Sequence, residues 1–302
     1  MSRSQANLLL LAVALIWGSA FVAQAEGMRG VGPLTFTGIR FLLGTLVVVP
    51  LAWREWRLLA SAGGRPQAAD GLGIAALGVL LMLGAALQQI GITSTTVTNA
   101  GFLTALYVPL VPLLSWLLLG HPAHWSVWPT SIGCLAGTWL LSEAQAFEPV
   151  VGDLWVIASS FFWALHVIFV GRIAERMRAP FLVAGGQFLV CGLISLLGGA
   201  LSETITLAGI RQAAVPIAYA GLVSVGIGFT TQVIAQRYAQ PADAAIILSA
   251  ETVFAAIFGF LLMGDRLSAS GIAGCALILI CIVVVQLAPL AMARRRTLAR
   301  RA

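Results

Sequence analysis

Glu251 is an ionisable residue deep inside an apolar run. It lies eight residues after Asp243 and fourteen before Asp265. A helix rises about 1.5 Å per residue, so Glu251 would sit roughly 12 Å from one end of that run. Charge is expensive in hydrocarbon, which makes such a residue a functional candidate by default. Its carboxylate could bind a ligand amine or exchange a proton. It could equally be protonated and hydrogen-bonded to a neighbouring helix. Arg40 lies six residues inside another apolar run. It could snorkel to a polar surface, meet Glu251, or grip a ligand carboxylate with its planar fork.

Trp17 and Trp163 fall in the middle of apolar runs. Interfacial tryptophans normally sit at span ends. These two therefore either pack as core or line a cavity, offering stacking and cation–π faces. Gln88 and Gln232 are amides inside runs, and Gln89, Thr95, Thr96, Thr98 and Asn99 extend the polar stretch. Hydrogen-bonding between helices is one role for them, and Asn99 suits an N-cap. Converging on a cavity, they suit a zwitterionic or polar ligand. Tyr107 matches Glu251 at the same repeat offset as the two glutamines. His166 follows Trp163 by three residues, on the same helix face. It is either a packing residue or a proton relay, and Gln187 is a further candidate. The binding set is thus Trp17, Arg40, Gln88, Asn99, Tyr107, Trp163, His166, Gln232 and Glu251.

Catalytic signatures are missing from the chain. There is no P-loop, HExxH or serine elbow, and glycine-rich Gly221–Gly228 lies in an apolar run. Cys134, Cys191, Cys275 and Cys281 lack metal or CxxC spacing and read as packing residues. We expect no cofactor, no metal and no enzyme.

The elements holding these residues are legible. The chain has 302 residues, 60% hydrophobic and 9% charged. Soluble domains carry about 25% charged residues, so lipid must replace water around most of this surface. Apolar runs of about 20 residues read as spans. They fall at 7–25, 34–52, 71–90, 98–118, 125–142, 152–171, 181–200, 212–234, 242–262 and 269–288. The fold class is an all-α integral membrane protein of ten transmembrane helices. The alternating segments of a membrane β-barrel are missing. The run from about Leu8 reads as a first helix, because no small-residue cleavage site follows it. Pro109 and Pro112 interrupt span four. Trp53, Trp56, Trp125 and Trp128 lie near span ends and read as belt anchors.

The net charge is +6, and every basic residue is Arg. These arginines do not share one polar face, so a nucleic-acid partner is excluded. Arg3, Arg54, Arg57, Arg65, Arg172, Arg176, Arg178 and Arg237 fall on one side of a ten-span chain. The tail 289–302, with Arg294, Arg295, Arg296, Arg300 and Arg301, joins them. The other side has Arg29, Arg211 and Arg266. The positive-inside bias puts both termini in the cytoplasm of a plasma or inner membrane. The tail reads as an anchor on anionic lipid.

The chain repeats itself. Gln88–Gly120 and Gln232–Gly264 are offset by 144 residues. Trp17 matches Trp163, Arg40-Phe41 matches Gln187-Phe188, and Gly133-Cys134 matches Gly274-Cys275. The repeats are 7–142 and 152–288. Five spans each is an odd number, so the second repeat enters the membrane inverted. Many secondary transporters are built this way, with their sites near midplane at the repeat interface.

Particular motifs point to a family. Leu15-Ile16-Trp17-Gly18-Ser19-Ala20-Phe21 resembles the start of the EamA branch of the drug/metabolite transporter superfamily. Gly38-Ile39-Arg40-Phe41 resembles its second helix. Leu261–Ser268 resembles its last turn, with Asp265 where Glu is usual. The first-repeat turn, Gly120-His121-Pro122, departs from the acidic pattern. The resemblance implies two inverted five-helix repeats and a cofactor-free exporter of amino acids, other metabolites or drugs. Related branches carry nucleotide-sugars or sugar phosphates.

The expected activity is export of a small amphipathic metabolite by alternating access, foremost a hydrophobic or aromatic amino acid. Its amine would meet Glu251, and its side chain would stack between Trp17 and Trp163. Rivals are a nucleotide-sugar, sugar-phosphate or multidrug carrier, an intramembrane enzyme and a channel. Phosphate carriage would call for several cavity cations, and Arg40 alone lies clearly inside a span. Expected partners are the solute, the bilayer and, through Glu251, protons. The protein would be a monomer or homodimer.

Overall fold

The computed structural model describes residues 1–61, 67–95, 97–120, 122–142, 150–263 and 268–299; the side chains of 97–99, 262–263 and 289–299 lie outside the description. Ten apolar helices follow in order. They are α1 (Arg3–Gly27), α2 (Pro33–Ser61), α3 (Ala68–Ile92), α4 (Ala100–Leu119) and α5 (Val127–Leu141), then α6 (Val151–Met177), α7 (Pro180–Ser202), α8 (Ala214–Gln236), α9 (Pro241–Leu261) and α10 (Ala269–Ala299). Among the described residues nine are long and apolar enough to cross a membrane; α5, at 15 residues, is shorter.

Local chemistry explains the ends and breaks. Ser2 and Gln5 cap α1 reciprocally, and Pro180 and Pro241 start α7 and α9. Pro109 cannot donate to the carbonyl of Ala105. Val108 donates to it instead, at 3.0 Å, and α4 breaks at Ala105-Leu106. The equivalent break in α9 is Ser249, 144 residues later. There the Ser249 and Thr252 hydroxyls bond to backbone carbonyls one turn back.

Glycine-lined contacts show how the helices run. Along α2 and α7, Gly38 meets Leu196, Leu42 meets Gly192, and Ala52 meets Gly185. One number rises while the other falls, so the pair is antiparallel. The pair α3–α6 is antiparallel too, with Gly91 on Val156 and Gly84 on Trp163. Its counterpart α8–α1 behaves alike, with Trp17 on Ser224 and Ser19 on Tyr219. The pairs α3–α7 and α8–α2 are both parallel, through Ile74–Gly186 with Gly78–Val190, and Leu43–Gly221 with Val47–Gly226. Exchanging each helix for the one five places on therefore reproduces the packing. Equivalent helices α2 and α7 run oppositely, which makes the repeats inverted.

Two carboxylates clasp the α2–α7 pair, one at each end. Glu203, just past α7, accepts from the Leu34 and Thr35 amides at the start of α2, at 2.8 and 2.9 Å. Glu55, near the end of α2, accepts from the Leu182 amide at the start of α7, at 2.9 Å. Each anion satisfies orphan amides at a helix N-terminus. Across the α5–α10 pair, Gly137 faces Gly274, so the Gly133-xxx-Gly137 face is used within the chain.

Candidate central cavity

A buried cavity lies where the two repeats meet, and its walls come in repeat-related pairs. Trp17 of α1 and Trp163 of α6 form one pair, and Gln88 of α3 and Gln232 of α8 another. Tyr107 of α4 and Glu251 of α9 form a third, each just past its helix break. Phe21 with Val167, and Thr104 with Leu248, complete the symmetric lining. Gln24, Arg40, Ser224 and Phe229 line it without a counterpart. The space is ≈ 560 Å³ of non-atom volume, its mouths included.

The polar groups are unequally satisfied. Gln88 donates to the Thr104 hydroxyl at 2.8 Å, and Tyr107 donates to the Ala245 carbonyl at 3.4 Å. Trp17 Nε1 donates to the Ser224 carbonyl at 3.4 Å. Gln232 Oε1 and Trp163 Nε1 are buried with no hydrogen-bond partner among the described residues. Buried polar atoms normally find partners, so these two have hydrogen-bonding capacity left over at the cavity wall.

Arg40 is 4% exposed, which rules out snorkelling. Its guanidinium donates to Gln24 Oε1 at 2.9 Å and lies 5.4 and 5.2 Å from the Phe36 and Phe41 ring centres. Its Nε is unpartnered. Glu251 is 7% exposed. Among the described residues neither Arg40 nor Glu251 forms an ion pair, with each other or with a third group. The pairing considered from sequence is thus not made. Gly18 lets α9 approach α1 at this point: a Cβ there would sit 2.7 Å from the Glu251 carbonyl oxygen.

Phe229 stands where a ligand side chain was expected. Its ring centre is 4.4 Å from Trp17 and 5.9 Å from Trp163, nearly parallel to the latter. Stacking of a ligand between the two tryptophans is therefore corrected in this conformation. The difference between the repeats here is the side chain itself: Phe229 closes a π-helical stretch in α8, Ala220–Phe229, and keeps the 144-residue register of Gln88 and Gln232. The matching part of α3 is regular and carries Ala85 at this place.

His166 does not reach the cavity. It is fully buried, its Nε2 is 2.8 Å from Gln187 Oε1, and its ring lies edge-on to Trp163 and Phe229. Gln187 and Arg40 are repeat mates, and each meets a polar side chain of the preceding helix, Gln187 with His166 and Arg40 with Gln24. The side chain of Asn99 lies outside the described residues, as do Asp265 and Arg266. Gln24, Phe229 and Ser224 escaped the sequence reading. Phe21–Val167 and Thr104–Leu248 could have been found by extending the repeat offsets.

The EamA-like transporter family model matches residues 4–143 and again residues 150–287. This chain belongs to the EamA-like transporter family. It is a multi-pass membrane protein whose two repeats each carry one copy of the EamA unit. It is 28% identical over 288 residues to an uncharacterized transporter of Archaeoglobus fulgidus, covering 94% of this chain and 87% of that one. It is 24% identical to the uncharacterized transporter YwfM of Bacillus subtilis, covering 94% of both. A protein of known crystal structure, 22% identical, superposes with a TM-score of 0.76 over 95% of this chain and 99% of its own. At that identity the likeness speaks for the fold alone.

Proposed function

We propose that this EamA-family chain exports a small amphipathic zwitterion, foremost a hydrophobic or aromatic amino acid, by alternating access. One observation carries the reading. Arg40 and Glu251, a guanidinium and a carboxyl group, are buried at one cavity and have no ion-pair partner among the described residues. A solute with a carboxylate and an ammonium group would satisfy both. Unpaired buried charge is costly, so such complementarity would supply strong discrimination. The indole faces turned away from Phe229 suit an apolar or aromatic side chain. Glu251 is also the natural carrier for a coupled proton.

The two inverted repeats would rock about this site. Arginine-rich ends of the helices would face the cytoplasm. The symmetric lining supports such a mechanism, because exchanging the repeats' conformations would present similar walls to either side.

The test is flux into proteoliposomes, with and without a pH gradient, for labelled amino acids, nucleotide-sugars and lipophilic cations. Wild type should move an aromatic amino acid, and Glu251→Gln should lose most of that flux. Unchanged kinetics in Glu251→Gln, or a preference for nucleotide-sugars, would overturn the reading.

A further inference from the structure

A second, wider opening lies on the arginine-rich face. It is bounded by the ends of α4, α6 and α8 and the start of α9, with ≈ 1800 Å³ of non-atom space including its mouth. Arg3, Arg172, Arg176 and Arg237 all line it. Arg3 is paired with Asp243, and Arg176 with Asp70. Arg172 and Arg237 have no ion-pair partner among the described residues. The Arg237 Nε is buried and unpartnered, and its guanidinium lies 5.4 Å from the Tyr238 ring centre.

The repeat makes this open charge informative. On the opposite face, Glu26 and Arg29 sit three residues apart in the first repeat and close on each other at 2.8 Å. Their counterparts 146 residues on are Arg172 and Glu175, the same spacing with signs exchanged. That second pair is not closed, so the Arg172 guanidinium stays available to the opening.

A wall separates this opening from the central cavity. Gln236 of α8 donates to the Val167 carbonyl of α6 at 2.9 Å. One turn on, a Cβ on Gly171 would sit 2.7 Å from the Gln236 carbonyl oxygen, so the backbones touch. Val167 lines the inner cavity, and Gly171 the outer opening.

We propose that this opening is a phosphate-binding site, distinct from the central cavity, with Arg172 and Arg237 as its principal donors. Guanidinium forks that are not already held in an ion pair grip phosphate oxygens bidentately. Basic pockets between membrane helices hold anionic lipid headgroups by the same chemistry. The phosphate belongs either to a lipid headgroup or to a soluble ion, and the ligand stabilises the folded protein when it binds.

Melting of the purified full chain tests this. In detergent the titrant is inorganic phosphate against chloride. In nanodiscs phosphatidylglycerol is compared with phosphatidylcholine. Arg172→Gln/Arg237→Gln is set beside Arg54→Gln/Arg57→Gln, which removes two exposed arginines of the same face outside the opening. Phosphate or phosphatidylglycerol should raise the melting temperature of wild type and of the outer control. The apparent affinity should fall about tenfold for each guanidinium removed from the opening. A response to inorganic phosphate identifies a soluble-ion site, and a response to phosphatidylglycerol alone identifies a headgroup site. No stabilisation by either, or equal stabilisation in the Arg172/Arg237 variant, would overturn the proposal.

Discussion

The ring of Phe229 packs on Trp17 with centroids 4.4 Å apart and stands 5.9 Å from Trp163. It also meets Phe41 and Phe188, a repeat-related pair, at 5.6 and 6.3 Å. One unpaired aromatic therefore plugs a symmetric cavity. Burying a Phe in a core is worth about 3–5 kcal/mol against Ala. Phe229→Ala should cost less than that range, because the ring already borders empty space. It should also admit bulkier solutes. Melting in detergent and competition by solutes of graded size would check this. A variant with unaltered size selectivity would show the ring to be passive.

Gly18 controls where Glu251 sits. A Cβ at Gly18 would lie 2.7 Å from the Glu251 carbonyl oxygen and 2.8 Å from the Ala255 amide nitrogen. Neither backbone atom can move aside cheaply. Gly18→Ala should push α9 away and reduce transport at least several-fold. Gly71→Ala, with nothing within 4 Å of its added Cβ, should be neutral. Flux per folded molecule measures the contrast, and equal fluxes would refute it.

The two clasps should contribute to stability independently. Glu55 and Glu203 cap helices at opposite membrane faces. Losing a cap of this kind costs about 0.5–2 kcal/mol. Glu55→Ala and Glu203→Ala should each lower the melting temperature. The double variant should show the sum, since distant sites are additive. Strong non-additivity would mean that the α2–α7 pair deforms as a unit.

Arg40 should read a carboxylate. It is buried against Phe36 and Phe41 and holds Gln24 at 2.9 Å. Arg40→Lys keeps the charge but loses the fork and the stacking. It should weaken recognition of an amino acid by about tenfold. Recognition of the methyl ester, which lacks the carboxylate, should change little. Competition assays with both compounds decide. An equal loss for both would assign Arg40 to packing alone.

Much of the fold was legible because lipid makes it so. Spans must be apolar and helical wherever backbone groups cannot reach water. Repeat offsets then paired Trp17 with Trp163, Gln88 with Gln232, and Tyr107 with Glu251, all of which line one cavity. Arg40 also proved to lie at that cavity. His166 shares a helix face with Trp163, but one turn along that helix it is sealed behind aromatic rings. Periodicity places a residue on a face without saying what covers it.

The sequence by itself determined the ten apolar segments, their duplication and the odd span number that inverts the second copy, because composition and spacing are local properties. Only the tertiary structure decided that Phe229 fills the gap between the tryptophans. It alone showed Gln24 holding Arg40, and Glu55 and Glu203 clasping opposite ends of one helix pair. Those relationships join residues 16 positions apart, as in Gln24 and Arg40, and far more distant ones, as in Trp17 and Phe229. They depend on which helices pack together and on glycine contacts between backbones, which no local pattern encodes.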